Sequence, residues 1–381
     1  MILFIKKAYI MKKIFLSLLA ATSLYSIANA CTDVTVKATD GSVVAGRAME
    51  WEYPMGWRIV TVPAGTTLTL NAPAKLGLPA NKVVTKYGII GIDSKLLPGA
   101  ITEGQNSAGL GFSANFLPQF TEYQQVTKSD THYASMLEAS QLILGNAKNV
   151  DEAKAILQQY KIWGEIVAAS PSVLTLHLLI TDKTGKSIVV EYVQGKLNIY
   201  DNSIGVLTNA PEYPWHLYNL TNYLHLSDAD VTSDSTTAKA VKTQFGYVTQ
   251  TSQGVGLFGL PGDDTSPSRF IRVTALRHFA IPATNDTQAV QLVNHILNNT
   301  DVVRGSIKTV VNATTSAYEY TQWITLKDLT NNKMYFTDYD HRTNYVSLDV
   351  DKLLATNKAI IVPIDKLQYP TSDVTDQLLA K

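Results

Sequence analysis

"SIANACTDVTV", residues 26–36, holds the only cysteine of the chain, Cys31, directly behind the triplet Ala28-Asn29-Ala30. What lies upstream bears on its position. Lys12-Lys13 follows an internal methionine, Met11, and the apolar run "IFLSLLAATSLYSIA" leads into the triplet. A basic stretch, a short apolar stretch and an A-x-A site make the secretory pattern. The run is too short to span a bilayer comfortably, and polar sequence follows at once. The expectation is a leader over residues 1–30, with Met11 as the suspected start, and a periplasmic or secreted protein whose first residue after cleavage is Cys31.

Three readings of Cys31 stand beside one another. A stray thiol is unusual in an exported protein, because compartments outside the cytoplasm oxidise cysteine. A lipid-bearing cysteine also sits at a cleavage site, but it follows a Leu-Ala-Gly-like triplet, and here Ala28 and Asn29 occupy those places. The third reading is an N-terminal nucleophile. A thiol attacks as thiolate and has a free pKa of about 8.5. An α-amine titrates near pH 8, so it can take that proton and later hand it to a leaving amine. One residue then supplies nucleophile and base.

Lys and Arg number 32 and Asp and Glu number 32, so charge is balanced. No basic stripe argues for nucleic acid or anionic lipid, and no Pro-rich or Gly/Ser-rich linker divides the chain. Residues 31–381 are expected to form a single domain. Strand patterns dominate. "CTDVTVKATDGSVVAGRAMEW" reads as two strands turning at Asp40-Gly41. "LTLHLLITDKTGKSIVVEYV" is a hairpin turning at Lys183-Thr184-Gly185, and "QWITLKDLTNNKMYFTDYD" another turning at Asn331-Asn332. Helical periodicity is predicted in "THYASMLEASQLILGNA", in "NVDEAKAILQQY" with Asn149 as N-cap, in "TTAKAVKTQFGYVTQ" and in "DTQAVQLVNHILNN". Strand blocks separated by pairs of helices favour antiparallel sheets layered with helices over a doubly wound sheet.

Some motifs carry nothing. "GVGLFG" (Gly254–Gly259) matches G-x-G-x-x-G, but "LPGDD" follows, which starts no helix. "GFSAN" lacks the last glycine of a nucleophile elbow. The seven histidines have no metal-ligand spacing.

Further pieces complete an amidase constellation around Cys31. "GRAMEW" brings Arg47, Glu50 and Trp51; on spacing alone Arg47 and Glu50 also read as exposed hairpin charges. A fixed positive charge near the thiol would depress its pKa, and a carboxylate would hold the amine. "NSAGLGFSANFLP" holds Asn115 and "IGVLTNAP" holds Asn209, each a turn asparagine or a donor to an oxyanion. "GLPGDDTSPSRFIRV" is a turn-rich loop delivering Arg269 into a strand.

Together these segments resemble the choloylglycine hydrolase family of N-terminal-nucleophile amidases, which includes conjugated bile salt hydrolases and penicillin V acylases. The resemblance rests on Cys31-Thr32, "GRAMEW", "GL…NF-x-P", "GVLTNAP" and "G-x-PGD…S-x-SRF-x-R", in the family's order from Cys31 to Arg272. It implies Cys31 as nucleophile with Arg47 beside it, Asn115 and Asn209 as the oxyanion asparagines, and Arg269 as the arginine of "SRF". Glu50 falls where the family has the aspartate that contacts the amine, one methylene longer. The implied fold is α+β, a four-layer αββα sandwich of two antiparallel sheets covered by helices, with a homotetramer as the implied assembly.

The scheme calls for no metal or cofactor, and the expected partner is a small-molecule amide. Trp51 and Trp57, with Phe112, Phe116 and Tyr213, are candidates for an aromatic wall, or for ordinary packing. The export signal turns the expectation toward penicillin V or N-acyl homoserine lactones, with conjugated bile salts as the alternative. A lipid-anchored, non-catalytic protein is the rival of another class.

Overall fold

The computed structural model describes residues 30–167, 172–229, 240–243, 246–249, 256–310 and 314–379. The expected leader lies outside them apart from Ala30, as do Gly254 and Val255 of "GVGLFG".

The first hairpin forms as its alternation requires. Strands β1 (Cys31–Lys37) and β2 (Val43–Trp51) pair antiparallel, Cys31 opposite Met49 and Asp33 opposite Arg47. Their turn closes with the Gly41 N–H on the Ala38 carbonyl, and Gly41 takes a φ of 95°, a conformation open to glycine. Period-two geometry splits the hairpin into two faces. Cys31, Asp33, Arg47 and Met49 point one way; Thr32, Val34, Val44, Gly46, Ala48 and Glu50 point the other.

This hairpin sits inside a seven-stranded antiparallel sheet. Val206–Leu207 flanks β1, and Ser316–Asp328, Lys333–Asp338 and Val346–Asp349 follow on the side of β2. A bulge between Thr321 and Trp323 interrupts the pairing with β2. An eight-stranded antiparallel sheet lies opposite, with Leu110–Phe116 and Leu176–Asp182 at its centre. Cys31, Met49 and Trp323 of one sheet pack on Trp57, Ile59, Ile90 and Ile92 of the other.

Helices close both outer faces. Ser266–Phe279 and Asp286–Leu297 cover the first sheet through Phe270, Ile271, Val290 and Val293. Met136–Asn146 and Val150–Gln159 cover the second through Ala139, Ile143, Ala153 and Leu157. Gly46 sets the depth of the first contact: a Cβ there would lie 2.3 Å from Val293 Cγ1. The expected αββα sandwich is the observed one.

Asn149 caps its helix, its side chain accepting from the Glu152 N–H at 2.9 Å. Two local expectations fail. Within "TTAKAVKTQFGYVTQ" the described residues form paired strands, Ala240–Thr243 and Gly246–Thr249, not a helix. Val, Thr and Tyr favour the extended chain, and Gly246, at a φ of 104°, turns it. Arg269 does not enter a strand but lies in the first turn of the helix Ser266–Phe279. Pro267, which removes one of the N–H groups a helix start leaves unpaired, allows the helix to begin there.

Candidate active site

Cys31 opens β1 and is buried, 2% exposed. Its thiol faces the space between the sheets, 3.5 Å from Met49 Sδ. Arg47, across the hairpin, brings Nη2 to 3.3 Å from Cys31 Sγ. The same guanidinium donates to the Ala114 carbonyl at 2.8 Å and lies 3.7 Å from Glu103. Glu103 also pairs with the buried Lys327, and accepts from Ser113 at 2.7 Å and Thr325 at 3.0 Å. Arg47 is thus held from behind while one nitrogen faces sulfur.

Ala30 is still joined to Cys31 here, so the Cys31 nitrogen is a peptide N–H; in a chain beginning at Cys31 the same atom is the α-amine. That N–H donates to Asn209 Oδ1 at 2.5 Å. Arg269 Nη2 donates to the same oxygen at 3.0 Å, and its Nη1 grips the Cys31 carbonyl at 2.6 Å and Thr32 Oγ1 at 2.5 Å. One arginine therefore fixes the backbone of the nucleophile and the acceptor of its nitrogen. Two histidines steady the strand end: His177 Nε2 contacts the Thr208 carbonyl at 3.0 Å and His216 Nε2 the Asn209 carbonyl at 2.9 Å.

Burial raises the Cys31 thiol above its ordinary range; Arg47 opposes the rise and Glu50 and Asp33 add to it. The resting group is the thiol, which must lose its proton as it attacks. Burial likewise raises the Glu50 carboxyl to about 8, against the pull of Arg269, and the Glu319 carboxyl to about 7. Burial lowers His216 to about 4, so it is a neutral strut at neutral pH.

Cys31, Arg47, Asn209 and Arg269 converge on one point. Asn115, Asn209 and Glu50 stand in contacts different from those expected. Asn115 commits its amide nitrogen to Asp33 Oδ2 at 2.6 Å and the Thr208 carbonyl at 3.0 Å, which uses both its hydrogens. Asn209 acts as acceptor to the Cys31 nitrogen and spends one amide hydrogen on the Phe116 carbonyl at 2.9 Å. The Glu50 carboxylate does not reach the nitrogen: Oε1 accepts from Thr321 Oγ1 at 2.9 Å and Oε2 has no partner, because its strand position turns it to the helix face.

The aromatic candidates separate. Trp51 and Phe116 are half-buried and meet edge-to-face at 5.8 Å beside the cluster. Trp57 is buried and donates to Gln322 Oε1 at 2.6 Å. Phe112 and Tyr213 are not part of this wall: Phe112 is in the core beneath the second sheet, Tyr213 in that beneath the helices Ser266–Phe279 and Asp286–Leu297. Both occupy inward-facing positions that burial of large aromatics favours.

Asp33, Glu103, Lys327 and Glu319 were not singled out from sequence. All four are buried on strands, Glu319 in "AYEYT" with exposed Tyr318 beside it; a charge within a strand pattern is the one signal that was present.

A buried thiol opening a strand, an arginine on the sulfur and a second arginine and an asparagine on the adjoining nitrogen sit together at the heart of an αββα fold, the fold of the N-terminal-nucleophile hydrolases. Residues 31–365 match the linear amide C–N hydrolases, choloylglycine hydrolase family. The chain belongs to that family, and it is a hydrolase of carbon–nitrogen bonds in linear amides. It is 32% identical over 328 residues to a bile salt hydrolase/transferase of Clostridium perfringens, covering 85% of this chain and 94% of that one. The fold superimposes on a crystal structure of a variant of the conjugated bile acid hydrolase from Clostridium perfringens with a TM-score of 0.76, at 31% identity, over 91% of this chain and all of the other. A penicillin V acylase of Pectobacterium atrosepticum is more distant, 27% identical over 53% of this chain and 55% of its own.

Proposed function

We propose that the protein hydrolyses conjugated bile salts, cleaving the amide between a steroidal acyl group and a small acidic amine. The likeness to bile salt hydrolases over nearly the whole chain turns the substrate preference away from penicillin V and acyl homoserine lactones. The convergence of Arg47, Asn209 and Arg269 on Cys31 is the observation that carries the chemistry. We further hold that the chain is exported and cleaved after Ala30, so that the amine is free.

Cys31 Sγ attacks the amide carbonyl carbon while its proton passes to the α-amine, and Arg47 favours the developing thiolate. The remaining hydrogen of the Asn209 amide is the donor at hand for the oxyanion. The α-ammonium then protonates the nitrogen of the scissile bond, the C–N bond breaks and the amine departs. Water, deprotonated by the same α-amine, attacks the thioester; the acid leaves and the thiol is restored.

A second reading, hydrolysis of the side-chain amide of penicillin V, draws on the Trp51–Phe116 pair, an edge-to-face surface suited to a phenoxy group. Amine release from glycocholate, taurocholate and penicillin V by the exported protein decides between them. Faster turnover of the bile salts supports the first reading and faster turnover of penicillin V the second. Intact mass of the same sample tests the start: an unmodified Cys31 is expected, and a lipidated one would remove both nucleophile and base.

A further inference from the structure

The residue before the nucleophile is held by acids. The Ala30 N–H donates to Glu319 Oε1, and the Ala30 carbonyl accepts from the Glu50 N–H at 3.0 Å. Ala30 itself is 4% exposed. Three covalent bonds separate the Ala30 nitrogen from the Cys31 nitrogen, so the Glu319 carboxylate already lies beside the place where the amine would form. Glu50 and Glu319 are both fully buried, and each keeps one oxygen, Oε2, without a partner. Thr321, next but one to Glu319 and paired with Glu50 across the strands, donates to Glu50 and so ties the two acids together.

We propose that Glu319 is a second positioning residue for the α-ammonium of Cys31, taking over its charge when Ala30 departs and holding it with Asn209 for proton transfer. This rests on the N-terminal-nucleophile reading. Glu50, one methylene longer than the acid the family resemblance calls for, bends to Thr321 instead of reaching the nitrogen. The space of Ala30 separates Glu319 from that nitrogen, and cleavage empties it. An ammonium entering there meets two buried carboxyl groups, for which charge-assisted hydrogen bonds are the strong option. Charged groups that act on Cys31, Glu50 or Glu319 are Asp33, Arg47, Glu50 and Glu52 from the first hairpin and its end, Asp264 and Arg269 from the helix and its approach, and Glu319 itself.

The test uses protein beginning at Cys31, comparing the parent with Glu319→Gln and Glu319→Asp. Two profiles against pH are recorded: kcat and KM for glycocholate, and the rate of Cys31 alkylation by iodoacetamide, which needs no substrate. Removing a negative charge beside the ammonium favours its neutral form, and also eases thiolate formation. Glu319→Gln is expected to lower kcat roughly tenfold or more with KM unchanged. Both profiles are expected to move to lower pH, and Glu319→Asp to recover part of the loss. In protein that retains Ala30 the Gln variant is expected to leave alkylation less displaced, since no ammonium is present. Superimposable profiles for the parent and Glu319→Gln would overturn the proposal, as would a rise in KM with both profiles unmoved. If no bile salt or penicillin V is cleaved but the alkylation profile still shifts, the proposed substrate class fails while Glu319 keeps its role.

Discussion

Arg47 Nη2 stands 3.3 Å from Cys31 Sγ, and the two residues lie on neighbouring strands, Arg47 two residues along from Met49, the partner of Cys31. Antiparallel pairing brings them to the same face of the hairpin, and the carboxylate of Glu103 holds the guanidinium from the far side. Arg47 stays charged despite its burial, because the sulfur of Cys31 as a hydrogen-bond partner and the acids Asp33 and Glu103 together outweigh the loss of water. Replacing it with methionine leaves those acids buried without their cation, a loss of about 3–5 kcal/mol in buried pairs. Arg47→Met is expected to lower the denaturation midpoint and to slow Cys31 alkylation at pH 7. An unchanged alkylation rate would mean that the guanidinium does not act on the sulfur.

Asn209→Ala removes the acceptor of the Cys31 nitrogen and of Arg269 together. Hydrogen bonds to charged groups contribute about 1.5–3 kcal/mol, so kcat/KM in protein beginning at Cys31 is expected to fall by roughly 10–150-fold. Steady-state kinetics on the best amide substrate check it, and a loss of less than about threefold would remove Asn209 from the site.

The pH dependence of stability follows from the burial of Glu50. Glu50 has its folded value raised from the ordinary glutamate range, about 4.3, to about 8. The folded chain therefore binds the proton more tightly than the unfolded one. Its contribution is fully present below the ordinary value and is lost as pH rises through about 8. Protein that retains Ala30 is expected to be less stable toward urea at pH 8 than at pH 5, and Glu50→Gln to flatten that difference.

Gly46→Ala drives a methyl to 2.3 Å from Val293 Cγ1 and 2.9 Å from Leu297 Cδ1. Overpacking of this kind costs about 1–3 kcal/mol, and because the strand also carries Arg47, activity is expected to fall together with the midpoint. Urea denaturation and bile salt turnover, measured on the same preparation, test the coupling.

Two aromatic truncations distinguish lining from core. Phe112→Ala empties a fully buried position and is expected to destabilise by about 3–5 kcal/mol with KM unchanged in the protein that folds. Trp51→Ala, at a half-buried position beside Phe116, is expected to raise KM with little loss of stability. The opposite pattern would place the substrate on the other side of the second sheet.

The hairpins were legible because their signals are local: alternation over a few residues and a turn glycine between them. Asn149 as a cap and the helix at Asp286–Leu297 were legible for the same reason. "TTAKAVKTQFGYVTQ" misled because its apolar spacing fits a helix while its Thr, Val and Tyr fit a strand, and only pairing with a neighbour settles that contest. Arg269 was placed on the wrong element, since the turn-rich loop ends in a proline that starts a helix.

By itself the sequence determined the inventory and its order: one cysteine, behind a cleavage-like triplet, followed by Arg47, Asn115, Asn209 and Arg269. Tertiary structure alone decided what each one touches. Asn115 meets Asp33 across 82 residues, Cys31 meets Asn209 across 178, and Ala30 meets Glu319 across 289. Contacts over such separations come from sheet order and register, and a one-residue slip reverses the face of every side chain on a strand. Glu50 shows the consequence: its identity was readable, but its position on β2 turns it toward the helices and Thr321, and leaves the acid on the Ala30 N–H to be Glu319.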